Sequence, residues 1–130
     1  MPTITIKDET AGGKILNEIR IAFENEHTTV KDIIEARVFA EVEDYNKRLP
    51  EYFNGLIQPN DAEQTLNGFK LKTKRTIDPE KQVYIALDAF QHNGYFVLID
   101  DVQAESLEQE VLVSETTQIG FLKLTPLVGG

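Results

Sequence analysis

Residues 121–130 read FLKLTPLVGG, an apolar run followed by a proline and then by a double glycine. Phe121, Leu122 and Leu124 suit a strand. Pro126 ends it, because proline cannot donate to a hydrogen-bond ladder. Ile119 to Thr125 is therefore expected to be a closing strand, and residues 126–130 a flexible tail. Two glycines at the very end arise by chance in roughly one chain in two hundred. Lacking Cβ atoms, Gly129 and Gly130 can thread a narrow channel and present a carboxylate for attack on a nucleotide phosphate. The competing reading is a truncated or frayed terminus.

Just upstream, Tyr95 to Ile99 is an unbroken apolar run bounded by Asp100-Asp101, which predicts a central buried strand. Val102 to Glu110 is polar, with Leu107 as its anchor. Val111 to Val113 reads as a short strand, and Glu115 to Gln118 as a turn. At the other end of the sequence, Ile4 and Ile6 alternate with polar residues over Thr3–Lys7. Ala11, Gly12 and Gly13 supply a turn, and Lys14 to Phe23 returns through Ile15, Ile19, Ile21 and Phe23. A phase change near Leu16 and Asn17 predicts a bulge in this hairpin.

Thr28 or Thr29 is an N-cap, with Asp32 in the first turn. Val30, Ile33, Ile34, Val38, Val42 and Tyr45 then recur at helical spacing, while Lys31, Glu35, Glu41 and Asp44 are expected on the solvent side. This helix should reach about Arg48, before Pro50. Tyr52, Phe53, Leu56 and Ile57 form an apolar group closed by Pro59. Asp61 to Leu66 is expected to be one or two helical turns, and Phe69 to Ile77 a short strand or extended loop. Asp78-Pro79 starts a second helix with Val83, Ala86, Leu87 and Phe90 on one face. Asn93-Gly94 ends it with a residue able to take the left-handed conformation.

The 130 residues suit one domain. Apolar content of 41% and charged content of 27% are ordinary for a folded chain. No run is long enough to span a bilayer, and MPTITIKDET lacks a secretory pattern, so a cytoplasmic home and no membrane partner are expected. Without cysteine there is neither a thiol nucleophile nor a thiolate metal site. A net charge of −9 disfavours nucleic acid as a partner. Lys70, Lys72, Lys74 and Arg75 read as a solvated strand face. There is no H-E-x-x-H, no G-x-x-x-x-G-K and no G-x-G-x-x-G. His27 and His92 read as surface residues. Asp100, Asp101, Glu105, Glu108 and Glu110 have the chemistry for a hard cation, but a solvated acidic edge is favoured. No catalytic residue, intrinsic cofactor or metal site is expected, so the chain does not read as an enzyme.

A hairpin, a helix laid over the sheet and a closing strand make an α+β layout with one covered face. Together with the run VLIDDVQAESLEQEVLVSETTQIGFLKL at residues 97–124 and the terminal Gly-Gly, it resembles the β-grasp fold of ubiquitin-like proteins, most of all the bacterial ones encoded beside activating and conjugating enzymes. The resemblance implies an enlarged β-grasp domain over residues 1–125. Its mixed sheet is covered by a helix, and an insert at about 49–94 carries a second helix that a minimal ubiquitin lacks.

It also implies a protein modifier. An E1-like activating enzyme would use ATP and Mg to adenylate Gly130, with Gly129 letting the tail straighten and Pro126, Leu127 and Val128 gripping the enzyme's channel. An E2-like conjugating enzyme would pass the chain to a target amine, and a deconjugating peptidase would reverse the bond. The apolar tail, with no arginine before Gly-Gly, is also similar to sulfur carriers, which end as a thiocarboxylate. A non-covalent interaction domain docking through Tyr52, Phe53, Leu56 and Ile57 is the third expectation.

Overall fold

The computed structural model describes residues 2–48, 52–53, 56–57, 62–65, 68–71 and 76–123. Alternation along β1 (Thr3–Glu9) turns Ile4, Ile6 and Asp8 inward. The Gly-containing turn, with Gly13 at φ 87°, brings back β2 (Ile15–Ala22) antiparallel to β1. The ladder slips where Asp8 faces Asn17 and Glu9 faces Ile15, so Leu16 is the bulged residue. The bulge breaks the alternation, which leaves Ile15 exposed instead of joining Ile21 and Phe23 in the core.

β3 (His27–Thr29) leads into α1 (Val30–Arg48). The Thr29 hydroxyl accepts the Asp32 N–H at 3.2 Å. Two further N–H groups of the first turn, those of Val30 and Lys31, donate to the carbonyls of Gln109 and Leu107. The loop around the buried Leu107 therefore caps the helix from outside, and Leu107 is the anchor its sequence suggested. The core face of α1 holds Val30, Ile33, Ile34, Val38, Val42 and Tyr45 as expected. Glu41 is a correction: expected in solvent, it is buried on that same face beside Arg37.

Beyond α1, β4 (Tyr52–Phe53), β5 (Ala62–Thr65) and β6 (Gly68–Leu71) form an antiparallel sheet of their own, in the order β4-β6-β5. The helical turns expected at Asp61–Leu66 are replaced by β5. A segment this short is too costly to nucleate as a helix, and pairing with β6 satisfies its backbone instead. Lys72, Lys74 and Arg75 lie outside the described residues.

In α2 (Pro79–Gln91) the Asp78 carboxylate caps the Glu80 N–H at 3.1 Å. The helix is left through Asn93, at φ 60°. β7 (Tyr95–Ile99) turns through Asp100 and Asp101, both at positive φ, into β8 (Val102–Gln103). That short strand falls in a stretch read only as polar. β9 (Glu110–Leu112) pairs with β3, and β10 (Ile119–Lys123) closes the described chain.

The main sheet runs β2-β1-β10-β7-β8, with β1 and β10 parallel and the other pairs antiparallel. The architecture is thus α+β, a mixed five-stranded sheet with two helices. The Asn46 side chain exchanges two hydrogen bonds with the Ile77 backbone, at 2.8 and 3.1 Å, and fixes the approach to α2. No helix among the described residues is long and apolar enough to cross a membrane.

Ile34 is fully buried on α1, whereas Phe39, five positions on, is 48% exposed. Ile34→Ala should cost about 2–5 kcal/mol of stability. Phe39→Ala should cost under about 0.5 kcal/mol. Urea unfolding of the two variants compares them directly, and equal losses would contradict this packing.

Candidate functional site

β10 lies in the middle of the sheet, between β1 and β7, and its inner face presents Ile119, Phe121 and Lys123. Toward its C-terminal end the core stops being hydrocarbon. Asp8 stands beside Phe121 in the parallel register and Tyr95 beside Lys123 in the antiparallel one. Arg37 and Glu41, four apart on α1, come down onto this end from above.

The Arg37 guanidinium carbon lies over the Phe121 ring, 4.5 Å from its centroid. The guanidinium donates to both Asp8 oxygens, Nη1 to Oδ1 and Nη2 to Oδ2, the latter at 2.6 Å. Nη2 also donates to Glu41 at 3.2 Å. Only its Nε lacks a hydrogen-bond partner. The Glu41 carboxylate also receives the backbone N–H of Leu56, at 2.9 and 3.2 Å to its two oxygens. One buried charge therefore ties together β1, α1, β10 and the segment that follows α1.

Tyr95 extends the arrangement. Its ring stacks on Phe121 at 5.6 Å and leans against Phe90, and its hydroxyl donates to the Ala86 carbonyl at 2.7 Å.

These groups titrate as their surroundings dictate. Burial alone would lower the Arg37 value. The Glu41 charge and the hydrogen bonds and charge of Asp8 outweigh it and hold Arg37 well above the ordinary arginine range. Burial raises Tyr95 strongly. Burial lowers Lys123, opposed by Asp8 and reinforced by Arg37. With two carboxylates against two cations the cluster is balanced in charge, which is the condition for keeping it out of water. Chemically it is a clamp, with Arg37 engaged by its own carboxylates.

The residues the sequence singled out for activation, Pro126, Leu127, Val128, Gly129 and Gly130, lie outside the described residues. Of the apolar group after α1, Leu56 and Ile57 are buried in the core. His27 and His92 are exposed. Among the described residues, no group of histidine and carboxylate side chains could hold a metal ion. Sequence reasoning places Glu41 in solvent by its charge and gives Asp8 and Arg37 no role. The signal for the clamp is positional: Asp8 is in phase with Ile4 and Ile6, and Arg37 and Glu41 share the face of Ile33, Ile34 and Val38.

Compared with protein-family models, curated proteins and solved structures, the chain has no match in any of the three.

Arg37→Met leaves Asp8 and Glu41 buried without their cation and should cost about 3–5 kcal/mol near neutral pH. Urea unfolding reads this, and a loss no larger than that of the exposed substitution Phe39→Ala would argue against the clamp. Tyr95 adds an alkaline dependence. Because its folded value is raised, its contribution is intact below the ordinary tyrosine value of about 10 and is lost as pH climbs above it. Burial raises Tyr45 as well, so ultraviolet titration should show two late-ionising tyrosines among the described residues, reduced to one in Tyr95→Phe.

Proposed function

We propose that the chain is an enlarged ubiquitin-like modifier of the β-grasp type, activated at Gly130. The observation that carries this is the place of β10. It is a central strand, parallel to β1 and clamped under α1, and residues 124–130 follow it in the sequence. The hairpin of β1 and β2, a helix over one face and β10 set beside β1 support the β-grasp reading. A strand held on both sides is a firm base from which a reactive end can be offered to an enzyme.

The chemistry follows from the atoms. The Gly130 carboxylate attacks the α-phosphate of MgATP in the E1-like enzyme's site, and pyrophosphate leaves. A partner cysteine thiolate then attacks the acyl-adenylate carbonyl, AMP leaves, and a thioester forms. An E2-like enzyme carries the acyl group to a target amine. Gly130 shields its carbonyl with no side chain and Gly129 lets the backbone extend, while Pro126, Leu127 and Val128 supply apolar grip.

The non-covalent alternative loses support, because two of the four residues it would dock with, Leu56 and Ile57, are buried. The sulfur-carrier alternative shares the adenylation step and parts from the modifier only afterwards.

The test begins with the intact mass of the protein from its native cell, which should end at Gly130. The purified chain, the activating enzyme encoded beside it and MgATP should then give an adenylate or thioester adduct by mass, lost when Gly130 is deleted. No adduct, or one undiminished by the deletion, would overturn the proposal. Exchange of one oxygen for sulfur, without conjugates to lysine, would assign the chain to the sulfur carriers instead.

A further inference from the structure

β2 is one edge of the main sheet, and among the described residues no strand covers its outer side. The opposite edge, β8, is two residues long, too short to template much pairing. β2 is eight residues long, contains no proline, and is irregular only at the Leu16 bulge. From Asn17 to Ala22 it offers a regular ladder. We infer that this edge pairs antiparallel with the same edge of a second copy, Glu18 of each facing Arg20 of the other across a twofold axis at Ile19.

The phase of the free hydrogen bonds comes first. The Phe23 N–H donates to the Pro2 carbonyl at 2.9 Å, one step beyond the Thr3–Ala22 pair. Residues opposite one another in an antiparallel ladder alternate between bonded and non-bonded pairs. Ile19, Ile21 and Phe23 therefore direct their N–H and C=O groups toward β1, whereas Glu18, Arg20 and Ala22 direct theirs away from the sheet. A second strand must bring its own outward groups opposite these. Registers offset by one residue fail, since they set an outward residue against an inward one.

Charge then selects among the registers that remain. With Ile19 on the axis, Glu18 faces Arg20 and Arg20 faces Glu18, each pair exchanging both backbone bonds with opposite charges side by side. Sliding by two residues in either direction puts Glu18 opposite Glu18 or Arg20 opposite Arg20, which is repulsive. Within one copy Lys7 already stands opposite Glu18 and Thr5 opposite Arg20. The row across the joint thus runs Lys7, Glu18, Arg20, Thr5, with no like charges adjacent.

Apolar surface agrees. Ile19 is only partly buried in one copy, and on the axis it meets Ile19 of the other. The contact is isologous and closes as a dimer with a continuous sheet. It includes none of residues 124–130, so it stands apart from the modifier proposal.

Sedimentation velocity of the full chain over a concentration series up to about 1 mM tests this. The wild type should dimerise, more weakly at high salt. Glu18→Arg and Arg20→Glu should each weaken the dimer about tenfold or more, by turning both ion pairs repulsive. An equimolar mixture of the two variants should regain a dimer. The first variant is basic at both positions and the second acidic at both, so every pair across the axis again joins opposite charges. The double variant Glu18→Arg/Arg20→Glu should regain a homodimer, and circular dichroism checks that each variant folds. A wild type that stays monomeric throughout, single variants that associate like the wild type, or a mixture no tighter than its components would each overturn the inference.

Discussion

A guanidinium held away from water is the constraint on which the rest of the structure depends. Arg37 sits in the core, where an unpaired charge is prohibitively costly, so its neighbours are not free to vary. Asp8 must face inward at the end of β1, Glu41 must lie one helical turn along α1, and Phe121 must present its ring beneath. Each partner comes from a different part of the sequence. Satisfying one side chain therefore sets the crossing of helix over sheet and the position of the last strand. Apolar contacts supply the bulk of the stabilisation, but they are tolerant of sliding. The bidentate fork is not, because a shift of one residue on β1 would turn Asp8 to the opposite face.

The same constraint joins the sheet to its additions. Through Glu41 it captures the Leu56 amide, and through Phe121 and Tyr95 it reaches the Ala86 carbonyl on α2. The segment after α1 is thus fastened at Leu56 to the Phe121 end of the sheet. The proposed modifier role would require a strand that withstands handling at one end, and β10 is flanked on both sides and clamped from above. The long edge of β2, on the far side of β1 from β10, stays available for association of a different kind.

Much of this was legible in the residues. Caps at Thr29 and Asp78, the run Tyr95–Ile99 and the bulge at Leu16 depend on local chemistry and emerged where the sequence placed them. What was not legible depends on partners distant in sequence. Glu41 looks like a solvent residue until Arg37 and the Leu56 amide are seen beside it. β5 looks helical until β6 pairs with it, and β3 and β8 are too short to carry a period. Of the candidate site, the glycines and the apolar tail residues are plain in the sequence, whereas the clamp under β10 shows there only as charges in apolar phase.

Native-state amide hydrogen exchange along β10 tests the central claim most directly. If the closing strand is central and clamped, the amides of Ile119 to Lys123 should exchange only through global unfolding, with the same free energy and denaturant dependence as those of β1. Exchange of β10 by a separate, lower-energy opening while β1 and β2 remain protected would contradict the account.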